Sequence, residues 1–212
     1  MHKEQITLAI TGASGARYGI RLLQWLNKAD FFTHVLFSEA GRLVLSMEEG
    51  LELPKNPAKQ KALLVSELGL NGDLIACWSN TNWKSPVASG SSAPSRMVVC
   101  PCSTGSLSAI ATGASNNLIE RGADVVLKEQ GNLIVVPRET PYSLIHIENM
   151  RSLVQTGAVV LPASPGFYNN PDSIEELVDF VVSRILDKLH IENDLSNRWG
   201  YEQGKEVKEE AE

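Results

Sequence analysis

The sequence predicts an α/β protein: a three-layer α/β/α fold on a doubly wound, mainly parallel sheet of Rossmann-like or flavodoxin-like type. Three observations lead there. Short apolar, β-branched runs alternate with longer stretches of helical spacing. The first run leads through a tight glycine turn directly into a helix. The later runs also tend to end in short polar or glycine-containing turns.

Residues 6–11 (ITLAIT) have the pattern of a parallel strand buried on both faces. Residues 12–15 turn the chain. Residues 16–27 place Tyr18, Ile20, Leu22, Leu23, Trp25 and Leu26 at helical spacing. Residues 33–37 form a second strand, Ser38 can cap the next helix, and residues 39–47 form it. Residues 50–61 carry two prolines and mixed charge and read as a linker, before a short helix over 62–68. Residues 74–78 are a short strand. Residues 80–95, rich in Ser, Pro, Gly and Asn, read as a functional loop. A strand over 97–100 ends at Pro101, with helices over 103–111 and 117–128 after it. Then come a strand at 133–136, a helix at 143–155, a strand at 159–161 and a long amphipathic helix at 172–189. The expected organisation is one domain over 1–193 and a polar tail over 194–212, whose Trp199 is a candidate for packing on the active site.

The hydrophobic fraction, 43%, suffices for a substantial core, and 21% charge excludes a disordered composition. The net charge of −6, half of it carried by the last eleven residues, argues against a nucleic-acid surface. Three cysteines without framework spacing indicate a reducing compartment. Cys100-Pro101-Cys102 lacks the partners of a zinc site and reads as small buried residues. No leader pattern and no membrane-length apolar run is present, so the expectation is a cytoplasmic protein.

In open α/β sheets the ligand lies outside the carboxyl ends of the strands. That rule alone puts residues 12–14, Ser38, 103–106, Arg138-Glu139 and 163–168 along one edge. Thr11-Gly12-Ala13-Ser14-Gly15 follows a strand and opens a helix, where free N–H groups and the dipole favour a phosphate. A dinucleotide site fits poorly: GxGxxG is absent, and the second strand ends in Ser38 rather than in an acid for a ribose hydroxyl. The one Tyr and Lys four apart are Tyr201 and Lys205, in the tail. A mononucleotide fits better. For Ser103 to Ser106, phosphate binding and simple helix capping weigh equally, and Ser38 is open to the same two readings. Arg121, Lys128, Arg138 and Arg184 sit near element ends, where surface ion pairs are the usual fate; with Tyr168 they would suit a dianionic phosphate. Glu139 is placed for acid–base work or for a local ion pair. His146 reads as structural or as a support behind the residues that touch the ligand.

Several stretches together resemble the flavin prenyltransferase family (UbiX-type), once called aromatic or phenylacrylic acid decarboxylases. They are residues 11–16 (TGASGA), 88–91 (ASGS), 101–105 (PCSTG), 116–121 (NNLIER), 136–141 (VPRETP), 146–150 (HIENM), 162–168 (PASPGFY) and 179–184 (DFVVSR). The resemblance runs from Ile6 to about Trp199. It implies an FMN-binding flavoprotein that joins the dimethylallyl group of dimethylallyl phosphate to N5 and C6 of reduced FMN, without a metal. The prenylated FMN would serve a UbiD-type decarboxylase in ubiquinone biosynthesis or aromatic acid decarboxylation. It implies FMN contacts from Gly12, Ala13, Ser14, Ser38, Ser103, Thr104, Gly105, Ser106 and Arg138. It implies isoprenyl phosphate contacts from Ser89, Gly90, Arg121, Lys128, Tyr168 and Arg184, with Trp83 and Trp199 as apolar wall. Glu139 and Ser14 would be catalytic. It further implies a homo-oligomer, a dodecamer, with sites at subunit contacts. Two alternatives stay open at this level: a stand-alone FMN-dependent aromatic acid decarboxylase, and an FMN carrier.

Overall fold

The computed structural model describes residues 4–196. Its strands are β1 (Gln5–Ile10), β2 (Phe32–Phe37), β3 (Ile75–Trp78), β4 (Arg96–Cys102), β5 (Asn132–Pro137) and β6 (Val159–Val160). They form one sheet in the order β3-β2-β1-β4-β5-β6, every pair parallel. The winding direction reverses between β1 and β4, the switch point where such folds bind ligands.

Side chains alternate across the sheet, so neighbouring rows face opposite layers. Val35, Leu8, Val98 and Ile134 stand in register across four strands, each 0% exposed. On this side α1 (Ala16–Lys28) covers the sheet. Gly19 brings it so close that a Cβ there would fall 2.4 Å from the Cys100 carbonyl oxygen. The next row, Leu36, Ala9, Val99 and Val135, faces the other way. It packs with Leu107 and Ile110 of α4 (Thr104–Ala111), Leu118 and Ala123 of α5 (Leu118–Lys128) and Leu153 of α6 (Leu144–Gln155). Helices on both faces make three layers. Each large side chain buried here contributes roughly 1.5–3 kcal/mol, which is why the strands read as continuous apolar runs.

Two compact units divide the chain. Met1–Ser164 holds the sheet and its helices; Pro165–Glu212 holds α7 (Ile174–Lys188). Ser173 caps α7 by accepting from the Glu176 N–H at 3.2 Å, and Val178, Val181, Val182, Ile185 and Leu186 are buried. Trp199 and the rest of the expected tail beyond residue 196 lie outside the described residues. No helix among the described residues is long and apolar enough to cross a membrane.

Two local expectations change. Part of the expected linker over 50–61 belongs to a helix, α3 (Pro57–Leu68), which follows α2 (Glu39–Glu49). The Asn56 side chain accepts from the Lys59 N–H at 3.1 Å, and Pro57 sits in the first turn, where its missing N–H costs nothing. Pro57, one of the two prolines that suggested a break, marks a start. Strand β4 also runs through Pro101 to Cys102, with a register shift after Val99. Proline lacks a donor, but its carbonyl still accepts from the Thr11 N–H. His146 is structural: its ring Nδ1 accepts from the Ser143 N–H at 3.1 Å in a reciprocal cap of α6.

His34 of β2 is a buried polar residue with both ring nitrogens engaged. Trp78 Nε1–H can only donate, so His34 Nδ1 accepts at 3.0 Å and its Nε2–H donates to Gln5 Oε1 at 2.9 Å. The ring is therefore neutral, and burial lowers its pKa from 6.5 to about 4. The unfolded state binds the extra proton between those values, so stability falls as pH drops through that window, by up to roughly 3 kcal/mol. Urea unfolding at pH 7 and pH 4.5 is expected to show this loss, and His34→Gln to flatten it.

Candidate active site

The carboxyl ends of β1, β4 and β5 lie side by side, and the turns leaving them carry the first group of candidates. Thr11, fully buried, joins two of these turns. Its N–H and hydroxyl both donate to the Pro101 carbonyl, at 3.2 and 2.9 Å, and its Oγ1 accepts from the Ser103 N–H at 2.8 Å. Residues 12–15 are thereby held beside residues 103–106.

At α4, Ser103 caps the helix by accepting from the Ser106 N–H at 3.3 Å, and its hydroxyl donates to Ser106 Oγ at 3.1 Å. The Thr104 and Gly105 N–H groups have no intrahelical acceptor. The space beside Gly105 is open: an added Cβ would meet nothing within 4 Å. A phosphate fits this helix end in both room and charge. Ser38 caps α2 by accepting from the Gly41 N–H at 2.9 Å, which leaves its hydroxyl proton to donate.

The N-terminus of α1 departs from the expectation of free N–H groups. Gly15 takes the left-handed conformation, φ +102°, which glycine adopts at little cost. Glu48, at the end of α2, accepts from the Gly15 and Ala16 N–H groups at 2.9 and 3.0 Å, and from the Ser14 side chain. Partial burial pushes the Glu48 pKa up. The bonds from Ser14, Gly15 and Ala16 and the charge of Arg138 outweigh that and hold it below the usual carboxylate range. Arg138 Nε donates to the Ser14 carbonyl at 3.1 Å, linking the β5 exit to the β1 exit. Glu139 accepts from the Thr140 N–H at 2.9 Å. Beside it, burial and the Glu139 charge raise the Tyr142 pKa against the opposing pull of Arg138.

A second group lies along α5. Arg121 Nε donates to the Ala88 carbonyl at 3.2 Å, and its Nη1 pairs with Asp124 at 2.7 Å. Gly90 approaches so closely that a Cβ would fall 2.7 Å from Lys128 Nζ; Lys128 itself pairs with Glu129. Ser89 Oγ meets Ser91 Oγ at 3.2 Å, and Trp83 is half exposed. The structure thus brings Ser89, Gly90, Arg121 and Lys128 into one strip. No hydrogen bond among the described residues joins that strip to Ser14 or Arg138.

Tyr168 and Arg184 belong to the second unit. The Tyr168 ring meets Phe180 edge-on at 5.7 Å, and Arg184 pairs with Asp187 at 3.0 Å. Burial pushes the Cys77 and Cys102 thiols up to about 12 and Cys100 higher still, which leaves them unreactive. Among the described residues no three His, Cys, Asp or Glu side chains group as a metal site. The residue that sequence reasoning missed is Glu48. It sits in a helix-end run, Met47-Glu48-Glu49-Gly50, and no spacing connects it to Gly15, 33 positions away.

Residues 1–186 match the Flavoprotein family model. The chain is 55% identical over 197 residues to flavin prenyltransferase UbiX of Pseudomonas aeruginosa, covering 93% of this chain and 94% of that protein. It superposes on the crystal structure of AnUbiX in complex with FMN and dimethylallyl pyrophosphate with a TM-score of 0.82, at 36% identity, over 93% of this chain and 98% of that one. It is also similar to a dodecameric FMN-dependent UbiX-like decarboxylase from Escherichia coli O157:H7, with a TM-score of 0.79 and 34% identity over 92% and 98% of the two chains.

Glu48→Ala is expected to leave the first N–H groups of α1 without a protein acceptor and to lower stability by roughly 1–2 kcal/mol in urea titration. Glu48→Gln, which keeps an acceptor, should lose less. Because the native Glu48 pKa is depressed, its contribution is complete above the unfolded carboxylate pKa and is lost as pH falls through the native one.

Proposed function

The chain belongs to the flavin prenyltransferase family of flavoproteins, and we propose that it transfers the dimethylallyl group of dimethylallyl phosphate to N5 and C6 of reduced FMN. The observation that carries this reading is the near-full-length likeness to a flavin prenyltransferase. The open N-terminus of α4 beside the Thr11 bridge supports it.

Reduced FMN supplies the nucleophilic N5 and C6 when bound. The N–H groups of Thr104 and Gly105 and the hydroxyl of Ser106 would hold its phosphate, with Ser103 keeping that helix end and the Ser106 hydroxyl in place. Gly12, Ala13, Ser14, Ser38 and Arg138 line the rest of its berth. Ionising an allylic phosphate requires cations and donors at the leaving group. Ser89, Gly90, Arg121, Lys128, Tyr168 and Arg184 take that role, and Trp83 offers a π-face to the allylic cation. Glu139 moves a proton as phosphate departs and the new ring closes, with Ser14 at the flavin edge.

The chain works as a homo-oligomer, as the dodecameric E. coli protein does, and hands its product to a UbiD-type decarboxylase. Leu144, Ile145 and Ile147 expose an apolar face on α6, at 71, 70 and 49%, that suits a contact between copies.

Anaerobic incubation with reduced FMN and dimethylallyl phosphate, with dimethylallyl pyrophosphate in parallel, should add one isoprenyl unit to the flavin mass. No mass gain, or carbon dioxide released from an aromatic acid by this protein alone, would overturn the assignment. Glu139→Gln should bind FMN normally and lose about 100-fold or more in product formation; a carrier protein would show no such loss. Leu144→Glu with Ile145→Glu should reduce the particle size in light scattering.

A further inference from the structure

We infer that Asp187 is a positioning residue that holds the Arg184 guanidinium ready for the phosphate of the isoprenyl donor. The inference rests on the role proposed above for Arg184, and its geometry lies wholly within the second unit.

Two contacts of the Asp187 carboxylate, one on each oxygen, carry the inference. Its Oδ2 accepts from Arg184 Nη1 at 3.0 Å, and its Oδ1 accepts from Asn193 Nδ2 at 3.2 Å. The two side chains differ in exposure: 23% for Asp187 and 52% for Arg184. The acid is the anchored partner and the guanidinium the presented one. Asn193 is itself placed by the closure of α7. His190 turns the chain in a left-handed conformation, φ +57°, and the Ile191 N–H donates to the Leu186 carbonyl at 3.0 Å. The chain then doubles back, and Asn193 Nδ2 also reaches the carbonyls of Ser183 and Ile191, at 3.5 and 3.4 Å. One oxygen of Asp187 is thus fixed by a folded-back segment while the other orients Arg184.

The direction in which Arg184 is held suits an anion. Phe180 and Arg184 are four residues apart on α7 and share a face, and the Tyr168 ring rests edge-on against Phe180. Tyr168 and Arg184 therefore belong to the same side of the helix. An exposed pair of this kind adds little to stability. Its effect is on binding: a free arginine must be ordered when the anion arrives, and that ordering weakens the complex. Asp187 orders it beforehand through one N–H and leaves the remaining donors for phosphate oxygens.

The test measures the Kd for dimethylallyl phosphate by calorimetry on the full-length protein loaded with oxidised FMN. It also measures KM and kcat anaerobically with reduced FMN. Arg184→Ala should weaken binding. Asp187→Ala should raise Kd and KM about ten-fold while kcat stays within about two-fold, with FMN affinity and thermal midpoint unchanged. Asp187→Asn, neutral but still an acceptor, should fall between. The double variant Arg184→Ala/Asp187→Ala should bind no more weakly than Arg184→Ala alone, because Asp187 acts through Arg184. Additive losses in the double variant, or unchanged Kd in both Asp187 variants, overturn the inference while the role of Arg184 stands. Unchanged Kd in Arg184→Ala overturns that role and the inference with it. If Asp187→Ala loses stability or FMN, the Asp187→Asn value decides.

Discussion

The architecture of the site depends on one buried threonine. Thr11 places its N–H and hydroxyl hydrogen on the Pro101 carbonyl near the end of β4, and its hydroxyl oxygen on the Ser103 N–H just beyond it. A buried hydroxyl is costly unless bonded, so the pairing both satisfies Thr11 and holds two strand-end turns in one relation. These turns leave β1 and β4, the strands between which the sheet reverses its winding. Without this bridge the glycine turn and the serine-rich turn would be two separate loops.

The two helices that start from these turns end up electrically different. The N-terminus of α1 is neutralised by Glu48, while that of α4 keeps open N–H groups beside Gly105. Arg138 adds positive charge near the neutralised end and binds the Ser14 carbonyl. The protein thus supplies an internal anion at one dipole and leaves the other for a ligand. Helix N-termini favour negative charge in either case; the fold decides whose charge it is.

Much of this was legible in the residues. The parallel strands were readable because burial on both faces leaves a run such as ITLAIT with no charged residue and only β-branched threonine as a polar interruption. The helices 16–27, 39–47, 117–128 and 172–189 were readable from their apolar stripes and caps, and their observed limits differ by only a residue or two. The start of α3 was misread because proline marks a helix's first turn as readily as a break, and Asn56 as cap decides between them. The strand-end rule placed Gly12 to Ser14, Ser103 to Ser106 and Arg138 on one edge, where they stand. Glu48 was not legible, since a carboxylate in a helix-end run of Met-Glu-Glu-Gly looks like any solvated acid.

By itself the sequence determined the fold class, the strands and helices, the family resemblance and the set of polar residues at the strand ends. These follow from local periodicity and from motifs whose members lie close along the chain. Only the tertiary structure decided which helix end is open, that Glu48 closes the other, that Arg121 reaches back to Ala88, and that Asp187 stands between Arg184 and Asn193. The Glu48 and Arg121 contacts join groups on different elements, whose separation is set by packing that no local pattern of residue types encodes; at Asp187 the Arg184 contact is local, and the fold adds the turned-back segment that brings Asn193 to it.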